Sequence, residues 1–186
     1  MRIISGFLRR KKLEFYKTNF TRPLKDSVKE NIFNILNHSN LINVLIKKSK
    51  VLDLYSGFGS FGLECISRSA NQVTFMEKDK KAINSIKKNL AVHSIENKAH
   101  VIEGDIRQNI LKFKKDKFDI FFFDPPFADT NYIEIIKIIK EKKFFNKNHI
   151  LIIHREKNSS EDLKLFLKIL IEKNYGRSKI IFGKFN

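Results

Sequence analysis

The sequence predicts an α/β fold in which a mainly parallel sheet carries helices on both faces. Short apolar segments of strand length alternate with amphipathic segments of helix length from Lys50 onward. One strand segment, Phe118 to Phe123, is so rich in Phe and Ile that we expect it to be buried on both faces of the sheet. With 186 residues, the chain is long enough for one domain with a full core.

Each element of this core has its own signal in the sequence. Strand-like apolar runs occur at residues 51–55, 72–76, 99–103, 118–123, 149–154 and 177–183. Helical patterns occur at residues 60–69, 79–92, 106–113, 131–143 and 160–174. Asp79 is the expected N-cap of the second of these helices.

The first 40 residues differ from the rest and are predicted to form a basic extension of the same domain, ahead of a core at residues 41–186. Residues 2–4 and 12–16 are expected to pair as a small β-hairpin around Gly6. A helix should follow, because Ser27 and Glu30 fit a capping box ahead of an apolar face that includes Val28 and Ile32.

The composition limits the partners and the compartment. The formal net charge of +17 favours a polyanionic partner, of which nucleic acid is the common one. Cys65 is the only cysteine, so neither an internal disulfide nor a Cys-based zinc site is expected, and the reducing cytoplasm is the natural location.

The sequence has no apolar stretch of the roughly 20 residues that a membrane span requires, and no signal peptide is expected. The five histidines lack metal-ligand spacing, so no metal is expected.

The most informative segment is Asp124-Pro125-Pro126-Phe127, directly after the strand at 118–123. The two prolines prevent the chain from continuing as a strand or starting a helix there. A carboxylate, free carbonyls and an aromatic ring together suit a planar group that bears an NH2, such as a nucleobase amine or a carboxamide. A loop with a capping Asp and a core Phe is the simpler interpretation of the tetrapeptide alone.

Three other strand ends carry groups that suit an adenosine. Gly57-x-Gly59-x-x-Gly62 after the first strand allows a ligand close to the backbone at a helix start. Glu77 ends the second strand and can accept from ribose hydroxyls, and Asp105 follows the third and can accept from an adenine amine. Ligands bind at this edge of parallel sheets.

The glycine pattern with an acid after it also suggests a nicotinamide dinucleotide. Asp53 argues against that cofactor, because its carboxylate beside the glycine loop would repel a pyrophosphate and attract the ammonium of an amino-acid-bearing adenosine. The chain also leaves no room for a second catalytic domain.

These segments resemble the four sequence motifs of the class I S-adenosylmethionine-dependent methyltransferases, whose amine-methylating members carry a (D/N)PP(Y/F) motif. The resemblance to the RsmD family, which methylates guanine N2 in 16S ribosomal RNA, spans nearly the whole chain. It extends over the segments Arg2-Ile3-Ile4-Ser5-Gly6, Thr21-Arg22-Pro23, Val28-Lys29-Glu30, Gly62-Leu63-Glu64 and Tyr175-Gly176.

The resemblance implies a Rossmann-like, seven-stranded methyltransferase domain with S-adenosyl-L-methionine as cofactor and 16S rRNA in the 30S subunit or its assembly intermediate as substrate. We expect a monomer. The implied catalytic residues are Asp124, Pro125, Pro126 and Phe127. The implied cofactor-binding residues are Asp53, Tyr55, Ser56, Gly57, Gly59, Glu77, Lys78, Asp105 and Ile106. Candidate RNA-binding residues are Arg9, Arg10, Lys11, Lys12 and Arg22.

Two other classes of function remain open at this point. DNA adenine-N6 and protein glutamine-N5 methyltransferases use the same acceptor geometry. A DNA enzyme normally carries a further target-recognition domain, however, and a glutamine enzyme usually has Asn where this chain has Asp124. A non-catalytic Rossmann-like RNA-binding module is the other class, and the acidic groups at the four strand ends argue against it.

Overall fold

The computed structural model describes residues 1–15, 24–114 and 116–186. The strands of these segments are β1 (Lys50–Leu54), β2 (Gln72–Glu77), β3 (Ala99–Glu103), β4 (Phe118–Phe123), β5 (Phe145–Glu156), β6 (Leu167–Tyr175) and β7 (Ser178–Phe185). The helices are α1 (Asp26–His38), α2 (Ser60–Ser67), α3 (Lys80–Val92), α4 (Ile106–Ile110) and α5 (Tyr132–Lys142). Two short 3-10 turns lie at Glu96–Lys98 and Leu163–Leu165.

The strands form one seven-stranded sheet in the order β3-β2-β1-β4-β5-β7-β6. Strands β1 to β5 pair in parallel, and β7 is antiparallel to both β5 and β6. The order runs outward from β1 in one direction through β2 and β3, and in the other through β4 and β5. The switch point between β1 and β4 is where such sheets bind ligands, at the carboxyl ends of the strands.

Both faces of the sheet are covered, as the apolar character of β4 predicts. Ile120 and Phe122 belong to one hydrophobic cluster, whereas Phe121 and Phe123 belong to the other, because side chains alternate along a strand. The first cluster packs α1, α2 and α3 against the sheet, and the second packs α4 and α5. The predicted α/β fold with helices on both faces is therefore confirmed.

One predicted element is wrong. Residues 160–174 were expected to form a helix, but they contain a 3-10 turn followed by strand β6. Leu163, Leu167 and Leu170 do have helical spacing, yet the β-branched residues Ile169 and Ile171 also alternate as in a strand. The segment pairs antiparallel with β7, and the two strands are joined by a turn in which Gly176 has a φ of +59°. This pairing selects the strand over the helix. As β6, this segment brings the number of strands in the sheet to seven.

The N-terminal hairpin is present, but its regular pairing is a single antiparallel bridge between Arg2 and Lys12. Backbone hydrogen bonds from Ile3 N to Lys11 O (3.0 Å) and from Arg10 N to Ile3 O (2.9 Å) extend it. The end of the predicted second strand at Tyr16, and the Thr21-Arg22-Pro23 segment with its candidate RNA-binding Arg22, lie outside the described residues.

The predicted capping box at Ser27 is wrong. Helix α1 begins two residues earlier than that box implies, at Asp26, with Lys25 as N-cap and no capping hydrogen bond from a side chain. Asp26 lies in the first turn of α1, where a negative charge is favourable, and its carboxylate also pairs with Arg2 at 3.5 Å. The N-cap of α3 is as predicted, since the Asp79 carboxylate accepts from Ala82 N at 2.9 Å.

A buried ionic network joins the extension to the core. Lys29 is fully buried and donates to Arg2 O (2.7 Å) and Ser60 Oγ (3.1 Å). Glu64, also fully buried, accepts from Ile4 N (2.7 Å) and Ser5 N (2.9 Å). Burial lowers the pKa of Lys29, although the carboxylate of Glu64 acts in the opposite direction. The extension is therefore fixed along α2, the helix that follows the glycine loop.

No helix in the described parts of the chain is long and apolar enough to cross a membrane.

Candidate active site

The carboxylates predicted from the strand ends gather at the switch point. Asp53 is the penultimate residue of β1, Glu77 ends β2, and Asp124 directly follows β4, where its N–H lies 3.4 Å from Leu54 O. Asp53 is 1% exposed. Burial raises the pKa of Asp53 well above its ordinary value, and the carboxylates of Asp124 and Glu77 raise it further, against the hydrogen bond from Gly62 N.

The glycine loop between β1 and α2 takes a conformation that few side chains allow. Tyr55, Gly57 and Gly59 all have positive φ, at +57°, +53° and +75°. The Ser56 hydroxyl donates to Asp53 O at 2.6 Å and fixes the start of the loop. Gly57 and Gly59 are themselves buried, and the loop turns into α2 through backbone conformations that glycine adopts easily.

Glu77 orders this loop from the neighbouring strand. One carboxylate oxygen accepts from Gly57 N (2.7 Å), and the other accepts from the backbone N–H groups of Lys78 (2.8 Å) and Asp79 (2.9 Å). The Lys78 side chain is exposed, so Lys78 contributes to these contacts through its backbone N–H. An ionised carboxylate has about four acceptor positions, and Glu77 therefore keeps capacity for ligand hydroxyls.

Asp53 has one unsatisfied oxygen. Its Oδ2 accepts from Gly62 N at 2.9 Å, whereas Oδ1 is buried and has no hydrogen-bond partner in the described part of the chain. A buried acceptor without a donor is costly, and it is usually satisfied by water or a ligand. A donor group such as an ammonium, direct or through water, fits this position.

The two phenylalanines of the glycine motif point into packed surroundings. Phe61 stacks between Phe33 and Phe122, with ring centroids 5.1 and 4.1 Å away. Phe58 is 3% exposed and its ring lies 5.7 Å from that of Phe15, in the extension. The larger side chains are thus accommodated within the fold.

The third strand contributes Asp105 and Ile106. Asp105 is the N-cap of α4 and accepts from Gln108 N at 2.9 Å, and Ile106 is buried in the core below it. Burial of Tyr55, together with the carboxylates of Asp129 and Asp105, raises the pKa of its hydroxyl above the ordinary value. Tyr55 therefore lies near both acids, at the same edge as the glycine loop.

The turn after β4 has the two acceptors that an amine requires. Asp124 Oδ1 pairs with His154 Nδ1 at 2.8 Å, which leaves Oδ2 available. Nothing in the described segments donates to the Pro125 carbonyl, whereas Pro126 O and Phe127 O are both occupied. Phe127 is 42% exposed and its ring meets the His154 ring edge-on, with centroids 5.8 Å apart. The turn thus carries two acceptors without a donor and, at Phe127, a partly exposed aromatic ring.

Known proteins are similar to this chain over most of its length. The family described as conserved hypothetical protein 95 matches residues 1–184. A protein from Haemophilus influenzae, named ribosomal RNA small subunit methyltransferase D, is 34% identical over 160 residues, which cover 85% of this chain and 80% of that protein. One of the same name from Buchnera aphidicola is 31% identical and covers 93% of this chain and 83% of its own length. The chain belongs to the RsmD family.

Solved structures support the same assignment for the fold. The protein yhhF of Escherichia coli superposes with a TM-score of 0.84 at 26% identity, covering 100% of this chain and 97% of that one. A Haemophilus influenzae protein superposes with a TM-score of 0.76 at 31% identity, covering 98% and 96%. Both are named as candidate methyltransferases, and the Rossmann-like methyltransferase fold predicted from the resemblance is confirmed.

The basic run of this RsmD-family chain lies in the N-terminal hairpin, which runs along α2. Arg9, Arg10, Lys11 and Lys12 are exposed in the hairpin. Phe7 N donates to Ser67 O at 3.0 Å, so the hairpin turn contacts the C-terminal end of α2, near the amino edge of the sheet. None of the four basic side chains has an ion-pair partner among the described residues.

The end of the fifth parallel strand also carries polar side chains, and these were not among the predicted site residues. His154 and Arg155 follow four apolar residues of β5, and β5 lies next to β4. The rule that selected the other strand ends would have selected these two residues as well, because polar residues at the carboxyl edge beside the switch point are candidates for the site.

Among the described residues, no group of three or more His, Cys, Asp and Glu side chains is arranged to hold a metal ion.

Proposed function

We propose that this protein transfers a methyl group to the exocyclic N2 of a guanine in 16S ribosomal RNA, within the 30S subunit or an assembly intermediate. Its relatives are named as small-subunit rRNA methyltransferases, which supports an rRNA methyltransferase over a DNA-, glutamine- or non-catalytic alternative. The observation that carries the proposal is the pair of open acceptors at the turn after β4, Asp124 Oδ2 and the Pro125 carbonyl.

S-adenosyl-L-methionine fits the residues beside this turn. The unsatisfied Asp53 Oδ1 suits its ammonium, the glycines of the loop would allow the cofactor to lie close to the backbone, and Glu77 retains acceptor capacity for ribose hydroxyls. Asp105 and the buried Ile106 would border the adenine. When bound, this cofactor supplies an electrophilic methyl group, so the protein's task is to bring the amine to it in the correct orientation.

The acceptor turn addresses the main difficulty of this reaction, the poor nucleophilicity of an aryl amine. The nitrogen lone pair is delocalised into the purine ring, and two accepted N–H bonds would favour a pyramidal nitrogen with a directed lone pair. Positioning of this kind supplies much of the rate enhancement in such reactions. Asp124 can then receive the proton that the amine loses after transfer.

Phe127 would bind the base itself. A guanine must leave its stack in the RNA to enter the site, and the exposed ring of Phe127 offers a surface on which it can stack. Stacking of a base on an aromatic side chain contributes about 1–3 kcal/mol.

The basic hairpin would contact RNA at a distance from the target base. The run of Arg9, Arg10, Lys11 and Lys12 extends along α2, from the hairpin turn near Ser67 back to Lys12, which pairs with Arg2. Phosphate contacts orient a nucleic acid without reading its sequence. We propose that these residues hold the RNA while the target guanine reaches the acceptor turn.

The proposal includes a single catalytic unit, with residues 1–40 as a basic extension of the domain at 41–186. We also propose that the protein acts as a monomer, in the cytoplasm and without a metal.

Substitution of Asp124 tests the proposed function. We expect Asp124→Ala to lose methylation of 30S subunits that lack the modification, measured by transfer of a tritiated methyl group, while its affinity for S-adenosylhomocysteine stays close to that of the wild type. Mapping of the labelled base in the wild-type reaction identifies the target. Retained activity in the variant, or label on a position other than a guanine N2, would contradict the proposal.

A further inference from the structure

Arg155 is the largest fully buried side chain beside the proposed acceptor turn, and it is 1% exposed. Its guanidinium donates from Nη1 to Pro126 O at 3.1 Å and from Nη2 to Phe127 O at 2.9 Å. A planar guanidinium presents its donors in a fixed fork, so these two bonds fix the relative orientation of consecutive peptide groups. The last residues of β5 therefore hold the turn that follows β4.

Arg155 is itself held on two sides. Its Nη2 also donates to the Glu161 carboxylate, and its guanidinium carbon lies 4.7 Å from the ring centroid of Tyr132. Burial acts to raise the pKa of Glu161, but the hydrogen bonds that its carboxylate accepts from its own backbone N–H and from Arg155 outweigh burial and lower this pKa. Glu161 therefore remains ionised. Burial and the Glu161 carboxylate raise the pKa of Tyr132 to about 12, and Tyr132 stays neutral beneath the guanidinium.

These contacts occupy the carbonyls of Pro126 and Phe127 and leave that of Pro125 without a donor. Pro126 O accepts from Arg155 and from Asp129 N (2.8 Å), so both of its lone pairs are occupied. Phe127 O accepts from Arg155. Pro125 O has no donor in the described segments, and neither Pro125 nor Pro126 provides an N–H.

We propose that Arg155 is a positioning residue for methyl transfer: it binds the two rear carbonyls of the turn so that the Pro125 carbonyl and Asp124 face the incoming amine. This inference rests on the proposed function, because the amine is the group that those two acceptors bind. Arg155 does not touch the substrate in this arrangement and acts through the backbone of the turn.

If Arg155 only stabilised the fold, its substitution would leave the kcat of the folded protein unchanged. The positioning role predicts a different result. Arg155→Lys keeps the charge, but a single ammonium cannot reproduce the fork that binds two carbonyls and a carboxylate. We expect kcat at saturating cofactor and RNA to fall by about 10- to 100-fold, since a small misplacement of reacting groups costs that much. The Kd of S-adenosylhomocysteine should change by less than about twofold, because the turn is not its binding site.

Arg68 offers a matched control at the opposite edge of the sheet. It also pairs with a buried glutamate, Glu64 at 2.8 Å, and its guanidinium carbon lies 4.4 Å from the ring centroid of Phe33. We expect Arg68→Lys to lower the melting temperature about as much as Arg155→Lys while kcat stays within about twofold of the wild type.

Glu161→Gln provides a milder second variant, which keeps Arg155 but removes the charge that orients it. We expect a fall in kcat of about 3- to 10-fold. Wild-type kcat in folded Arg155→Lys, or equal kcat losses in the Arg155 and Arg68 variants, would overturn the inference. If Arg155→Lys does not fold, wild-type kcat in Glu161→Gln overturns it instead. A wild-type protein that transfers no methyl group to RNA would instead remove the proposed function on which the inference rests.

Discussion

His154 Nδ1 lies 2.8 Å from Asp124 Oδ1, and this contact joins the ends of β5 and β4 at the proposed acceptor site. A carboxylate only accepts hydrogen bonds, so with Asp124 ionised the imidazole must carry its hydrogen on Nδ1. One oxygen of Asp124 is thereby committed to His154 and the carboxylate cannot rotate freely. The other oxygen is held in one direction, which is what a directed amine acceptor requires.

Substitution of His154 should therefore lower activity through Asp124. We expect His154→Phe, which keeps a ring but removes the donor, to reduce kcat by about tenfold, a typical cost for a lost hydrogen bond to a charged group. His154→Asn places an amide donor near the position of Nδ1 and should recover part of the loss. Methyl-transfer kinetics at saturating substrates measure both variants.

A double variant separates this role from an independent one. If His154 acts only by orienting Asp124, then Asp124→Ala combined with His154→Phe should show no less residual methyl transfer than Asp124→Ala alone, measured over long incubation with enzyme in excess of RNA. Additive losses would show that His154 has a function of its own and would contradict the positioning role.

Most of the fold follows from local patterns in the sequence. Strands β1 to β4 and helix α3 lie within one or two residues of the predictions, because period, length and capping agree there. The segment at 160–174 could not be decided locally, since Leu163, Leu167 and Leu170 fit a helix while Ile169 and Ile171 fit a strand. Only the long-range pairing of β6 with β7 resolves that choice.

The site could be predicted only in part, for a related reason. Asp53, Glu77 and Asp124 carry chemistry at strand ends, and that is visible in the sequence. The fork from Arg155 to the carbonyls of Pro126 and Phe127 depends on the packing of β5 against β4, which no local pattern reports. The same holds for the second role of Glu77, in which its carboxylate binds the N–H groups of the glycine loop.

Phe127 should contribute through its aromatic face. We expect Phe127→Ala to lose about 10- to 100-fold in kcat/KM, since stacking of one base is worth about 1–3 kcal/mol. Phe127→Tyr keeps the ring and should retain most of the activity. The comparison is made with RNA below its KM, and equal rates for the Ala and Tyr variants would remove the stacking argument.

Gly62 is required by the packing of α2 on the sheet. A Cβ at this position would lie 2.3 Å from Phe75 Cε1 and 2.8 Å from Val73 Cγ1, both buried side chains of β2. We expect Gly62→Ala to reduce the free energy of unfolding by about 1–3 kcal/mol, the usual cost of overpacking. Urea denaturation measures the change.

Gly176→Ala provides a control for the loss of stability expected in Gly62→Ala. A Cβ there meets nothing within 4 Å, but the residue has a φ of +59°, so Gly176→Ala tests backbone strain without overpacking. Strain of this kind costs about 1–2 kcal/mol. If Gly62→Ala is as stable as the wild type, the helix does not require a glycine at this contact.

The basic hairpin should determine how RNA binding responds to salt. If Arg9, Arg10, Lys11 and Lys12 contact phosphates, replacing all four by Gln should reduce the slope of log Kobs against log salt by about 3, given about 0.7 per contact for single strands. Replacement of four exposed lysines elsewhere, Lys98, Lys142, Lys147 and Lys173, makes the same change in charge. An unchanged slope in the hairpin variant, or an equal change in the control, would contradict the proposed RNA contact.

Asp53 should link cofactor binding to pH. Burial raises its pKa, so between the ordinary value of about 3.9 and the raised value the free protein holds a proton there. An ammonium near Oδ1 favours the ionised carboxylate. Binding of S-adenosylhomocysteine in that pH window should therefore release a proton, and its affinity should rise with pH until Asp53 is ionised in the free protein.

The raised pKa of Asp53 has the opposite effect on folding, because stability falls with rising pH whereas cofactor affinity rises. In that pH window the folded state binds more protons at Asp53 than the unfolded state does, so the free energy of unfolding falls as pH rises. Asp53→Asn should remove this slope and abolish the proton release. It should also weaken S-adenosylhomocysteine by about 10- to 100-fold, the usual value of a hydrogen bond to a charged group. Titration calorimetry in two buffers with different ionisation enthalpies measures the proton directly; the same proton release in Asp53→Asn would assign it to another group and leave Asp53 without a role in holding the ammonium.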